Sequence, residues 1–102
     1  MYAAIRTYGV ADAEELSELV REEFLPIVET VPGFVAYYVL DAGEGVLSSI
    51  TICEDEAGLD ESTSRAGAWV EERALDLVES GPTIVTGTIA AERTREGLPA
   101  QT

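Results

Sequence analysis

Apolar and polar positions change period several times along the chain. In "YAAIRTYG", residues 2–9, Ala3 and Ile5 alternate against Arg6 and Tyr8, the two-residue period of a short strand. From Leu16 the period lengthens: Leu16, Leu19, Val20, Phe24, Ile27 and Val31 recur at helical spacing. Asp12, followed three residues later by Glu15, supplies a cap for the free backbone N–H groups of a helix start and an acid for its positive end. A first helix is therefore predicted over roughly 12–30, with a kink or an early change of pitch at Pro26, where a backbone donor is missing, and an end at Pro32 and Gly33. Residues 34–41, "FVAYYVLD", are aromatic and β-branched with little polar relief and predict a strand apolar on both faces. The glycines of "AGEG" allow a tight reversal into "VLSSITICE", residues 46–54. A second helix is predicted to start between Gly58 and Ser62, capped by Asp55 or Asp60, and to end before Gly81 and Pro82. "TIVTGTIAA", residues 83–91, is the last predicted strand, and 92–102 is a polar, flexible tail following a single domain over 1–91.

Strand, helix, strand, strand, helix, strand is the order of an α+β, ferredoxin-like βαββαβ sandwich, in which two helices cover one face of a four-stranded antiparallel sheet. The opposite face must then be polar or meet something else. It is not polar: the second strand offers Phe34, Ala36, Tyr38 and Leu40 on one side and Val35, Tyr37 and Val39 on the other. The third strand sets Val46, Ile50 and Ile52 against the milder Leu47, Ser49, Thr51 and Cys53. A second copy covering the open face, as a two-fold homodimer with sheet packed on sheet, is the arrangement this pattern predicts.

The second helix carries the one tryptophan. At 100° per residue, Leu59, Ser62, Ala66, Trp69, Val70, Arg73 and Leu77 share one stripe, with Arg65 at its edge and small residues around the indole. The ordinary reading is a core tryptophan flanked by arginine stems lying over apolar surface. The functional reading is a pocket walled by Trp69, in which Arg73, with Arg65, presents positive charge to a small anionic or phenolic ligand, beside Ser62 and the hydroxyl of Tyr37 or Tyr38 according to register.

Composition narrows the partners. A formal net charge of −14, from 20 carboxylates and six arginines with no lysine, opposes binding to nucleic acid or to an anionic membrane. The acid excess without lysine is the surface expected of a protein adapted to concentrated salt, which screens self-repulsion. No run approaches the length needed to cross a bilayer, and "MYAAIRTYGV" lacks the features of a signal peptide, so a cytoplasmic protein is expected. With no histidine and a single cysteine, Cys53, the chain cannot form an internal disulfide or the usual zinc site; no metal is expected, while a disulfide across a two-fold axis stays open.

The element order, the stretch "FLPIVETVPGFVAYYVLDAGEGVLSSITICED" and the alanine-rich "SRAGAWVEE" together resemble the antibiotic biosynthesis monooxygenase superfamily of small dimeric α/β-barrel proteins. The resemblance spans nearly the whole chain except the tail. It implies a dimeric barrel and admits cofactor-free oxygenation of a small aromatic or quinol-type substrate, haem degradation, or non-catalytic binding. The haem-degrading pattern of a first-strand Asn and a second-helix His beside the Trp is broken, because this chain contains neither residue type. Only Trp69 carries over; Thr7 falls near the Asn position without its amide. The resemblance therefore implies no cofactor, with the catalytic residues unassigned.

Overall fold

A computed structural model describes residues 1–95. Its elements are β1 (Tyr2–Val10), α1 (Ala13–Leu19), a π-helical segment Val20–Phe24, α2 (Leu25–Val28), β2 (Phe34–Gly43), β3 (Val46–Cys53), α3 (Glu56–Trp69), a π-helical segment Val70–Ala74, a 3-10 turn Leu75–Leu77, and β4 (Val78–Thr88). The strands form one antiparallel sheet in the order β2-β3-β1-β4, the βαββαβ arrangement expected from the pattern. The tail beyond residue 95 lies outside the described residues.

Local chemistry sets most boundaries. Asp12 takes the backbone N–H of Glu15 at 3.0 Å and starts α1. The expected change of pitch comes just ahead of Pro26: the N–H of Leu25 reaches back five residues to the carbonyl of Val20, and Pro26, with no N–H to lose, occupies the first turn of α2. The β2–β3 turn places Glu44 and Gly45 both at positive φ, as a two-residue hairpin of matching twist demands. The second helix begins earlier than expected. Asp55 caps it through Gly58 N–H at 2.9 Å, and Gly58 is needed there because a Cβ would stand 2.8 Å from the Pro32 carbonyl. Gly81 and Pro82 do not merely follow a helix end. They lie inside β4, which begins at Val78, at an edge where the register with β1 is irregular and a missing donor is tolerated.

The structure decides which face of the strands is covered, which the pattern left open. On β3 the buried residues are Leu47, Ser49, Thr51 and Cys53, so the milder face meets the helices and the isoleucines do not. On β1 the covered side carries Ala4, Arg6, Tyr8 and Val10, whereas Ile5 is 40% exposed. Val10, Leu16, Val20, Phe24, Val28, Val31, Leu47, Ala66, Trp69 and Ala74 form the main core, and Ala4, Cys53 and Leu59 a smaller one. Cys53 is fully buried on that covered side. That position keeps the thiol away from the open sheet face.

Candidate functional site

The helix stripe holds as far as Trp69 and then shifts. Leu59, Ser62, Ala66 and Trp69 are buried as the wheel predicts. Beyond them the π-helical segment takes one residue more per turn, so Ala74, at 1% exposure, fills the inward position that a regular helix would give Arg73. Arg73 therefore stands at the surface, a correction to its expected place on the inward stripe. Its guanidinium binds Glu23 through both carboxylate oxygens, Nε to Oε1 and a terminal nitrogen to Oε2, each at 2.9 Å. Glu23 Oε1 also accepts the indole N–H of Trp69 at 3.2 Å. This clamp fixes the tryptophan from outside, and the Arg73 hydrogen bonds, ahead of the indole's, hold the Glu23 carboxyl below its ordinary range.

The other candidates disperse. Arg65 pairs with Glu61 at 2.7 Å and reaches Thr30 Oγ1 at 2.9 Å, tying α3 to the end of the first helix. Ser62 is buried and donates to the Leu59 carbonyl at 2.8 Å within its own helix. The β2–β3 register settles the tyrosines: Tyr37 pairs with Thr51 on the covered side, and Tyr38 with Ile50 on the open side. Thr7 shares that open side, 2.9 Å from Ser48. Of the seven candidates, Trp69 and Tyr37 come together.

They line a cavity. Beside the indole, a chamber of about 40 Å³ is bounded by Trp69, Phe24, Tyr37, Tyr8, Leu47 and Ser49, among others. Phe24 packs against Trp69 and Tyr37 with ring centres 5.5 Å apart in both cases. A larger chamber of about 370 Å³ opens between α3 and β4, sharing Tyr8, Val70 and Val78 with the first. It exists because α3 covers β1 and β3 while β4, at the sheet edge, is left exposed along its length. Its wall includes Arg6, Thr63, Glu79 and Ile84.

Arg6 is the cavity-wall residue that the sequence pattern did not single out. It is 1% exposed, and its terminal nitrogens donate to Thr51 Oγ1 at 2.7 Å and Thr63 Oγ1 at 2.8 Å. Both acceptors are neutral. The phenols of Tyr8 and Tyr37 also interact with this guanidinium, and Tyr37 with the Ser49 hydroxyl, whereas Arg6 Nε, in the wall of the larger chamber, is a buried polar atom without a hydrogen-bond partner among the described residues. Burial raises the phenolic pKa of Tyr8 and of Tyr37, with the charge of Arg6 acting in opposition. Both phenols are therefore protonated hydrogen-bond donors near neutral pH. The signal in the sequence was an arginine at a mid-strand position whose partners across the ladder are Ser49 and Ile84.

No protein-family model and no curated protein matches the chain by sequence. Solved structures do match. A protein of unknown function from Nitrosomonas europaea, NE2512, superposes with a TM-score of 0.78 at 20% identity, covering 94% of this chain and 95% of its own. A monooxygenase from the gene ActVA-Orf6 of Streptomyces coelicolor, in complex with nanaomycin D, gives 0.74 at 18% identity, covering 93% and 92%. SnoaB, a cofactor-independent oxygenase from Streptomyces nogalater, gives 0.68 at 17%, covering 89% and 94%. The chain has the antibiotic biosynthesis monooxygenase-like fold. None of the helices among the described residues is long and apolar enough to cross a membrane.

Proposed function

We propose that this monooxygenase-like protein binds a small aromatic or quinol-type molecule between α3 and the sheet, and that the bound molecule is the substrate of a cofactor-free oxygenase. The observation that carries this is the aromatic wall of Trp69, Phe24, Tyr37 and Tyr8 around a chamber that shares Tyr8, Val70 and Val78 with a larger one. Solved oxygenases of this fold, one bound to nanaomycin D, support it. In such chemistry the substrate, deprotonated to an enolate or phenolate, reduces oxygen itself: a ring CH₂ and O₂ become C=O and H₂O, one oxygen atom entering the product. The protein has to take a proton and hold the anion. Tyr8 and Tyr37, with pKa values raised by burial, are donors and not bases. Glu79 is the carboxylate in the larger chamber's wall and is assigned the proton transfer.

A second reading, a non-catalytic binder in the same cavity, is favoured by the position of Glu79 on an exposed strand, where water dilutes the advantage of a fixed base. Two measurements divide these readings. Quenching of Trp69 emission by 1-naphthol or 1,4-naphthoquinone is expected, and its absence defeats both. Oxygen uptake with a hydroxyanthrone, lost in Glu79→Gln while quenching persists, supports the enzyme; uptake no faster than in buffer leaves the binder. The open sheet face, with Ile5 at 40%, Leu40 at 56% and Val85 at 61% exposure, supports a homodimer, and the charge of −14 supports adaptation to salt.

A further inference from the structure

We infer that Arg6 is an anion anchor, and that the molecule held in the cavity is an aromatic acid whose carboxylate or acidic enol oxygen meets this guanidinium. The inference rests on the ligand-binding reading above and narrows its ligand class. A guanidinium is a permanent cation with five N–H donors, and burying one without a counter-charge is expensive unless something supplies that charge. Here two donors go to the neutral hydroxyls of Thr51 and Thr63, the other groups at the guanidinium are the neutral phenols of Tyr8 and Tyr37, Nε–H has no partner, and among the described residues no carboxylate lies within ion-pair distance. A water molecule could satisfy Nε–H, but it would leave the charge uncompensated. The carboxylate sharing the chamber wall, Glu79, is exposed on β4 and makes no ion pair with Arg6. Arg6 and Tyr8 lie side by side on the same face of β1, Arg6 in the wall of the larger chamber and Tyr8 in the walls of both. A ligand with its ring toward Tyr8 and Val70 and an anionic oxygen at Arg6 uses the two features together. About 370 Å³ accommodates one or two fused rings bearing such a group. In a chain of net charge −14 the surface repels every anion, so one that enters must offset that repulsion by burying an apolar body in the chamber and pairing with this cation.

The test compares 1-naphthoate with its uncharged analogue 1-naphthalenemethanol by calorimetry and Trp69 emission, on the full chain. Naphthoate is expected to bind roughly ten- to a hundredfold more tightly, the preference a charge-assisted hydrogen bond gives. In Arg6→Met that preference should vanish while naphthalenemethanol still binds. Should Arg6→Met fail to fold, the Nε–H resonance of Arg6 in the wild-type protein, assigned by its absence from Arg6→Lys, must shift with naphthoate and not with the alcohol. Equal affinities in the wild type, a preference that survives Arg6→Met, or an unmoved resonance overturns the anchor and leaves aromatic binding standing. Failure of both compounds to bind overturns the anchor and the binding site together.

Discussion

Glu23 controls how Trp69 is held, although it lies across from it on another element. Its carboxylate accepts from both the indole and the Arg73 guanidinium. The folded-state pKa of Glu23 is lowered, chiefly by the Arg73 hydrogen bonds. A depressed carboxyl stabilises the fold above its unfolded pKa, and that contribution fades as pH falls through the lower folded value. Emission from Trp69 is therefore expected to change on acidification with a midpoint below the ordinary glutamate range. Glu23→Gln should abolish that step while leaving the neutral-pH spectrum close to wild type, since the amide oxygen still accepts from the indole. A step that persists in Glu23→Gln would assign it to another group. Arg73, occupied in this clamp, is expected to leave naphthoate affinity nearly unchanged when replaced by alanine, which separates its role from that of Arg6.

At the scale of elements, the π-helical segment after Trp69 decides what faces the sheet. Through Trp69 the helix obeys 100° per residue, so the wheel finds Leu59, Ser62, Ala66 and Trp69 correctly. The segment Val70–Ala74 then re-phases it, burying Ala74 and exposing Arg73. Ala74→Leu should cost about 1–3 kcal/mol through overpacking, whereas Arg73→Leu, which removes an exposed ion pair and disturbs no core packing, should lower the denaturation midpoint by less. The reverse order in urea unfolding would mean that the helix continues in regular phase. The same comparison shows what was legible. Long periodic runs, the Asp12 cap and the "AGEG" reversal announce element type and order, and the indole's inward face follows from spacing alone. Arg6 does not follow. Alternation along β1 says that Arg6 and Tyr8 share a face, but where both faces of a sheet carry apolar residues, polarity no longer tells which face the helices cover. The answer lay in β3, where a face of Ser49 and Thr51 beside Leu47 leaves room for a buried guanidinium and gives it the Thr51 hydroxyl as a partner, while Ile50 and Ile52 make the better surface for association. The extra residue of a π turn has no comparable mark in composition.

For the molecule as a whole, the distribution of charge and the open sheet face belong to one argument. The open face carries Ile5, Tyr38, Leu40, Ile50, Ile52 and Val85 from all four strands, and none of these is charged. The net charge of −14 is therefore carried by surface other than this patch. Two copies meeting there bury apolar area, a favourable term that salt does not screen, while their acidic remainders repel through solvent. Raising ionic strength from 0.1 to 1 M shortens the screening length from about 10 Å to about 3 Å and weakens only the repulsion. Dimerisation is expected to tighten with salt, seen by light scattering across a dilution series in rising KCl, and the melting temperature should climb with it because association stabilises the folded copies. Ile50→Asp places a charge against its own image across a two-fold axis and should yield a monomer at every salt concentration without disturbing the covered core. A wild-type monomer throughout would remove the homodimer. A dimer that loosens as salt rises would show that ion pairs, and not this apolar face, hold the copies together.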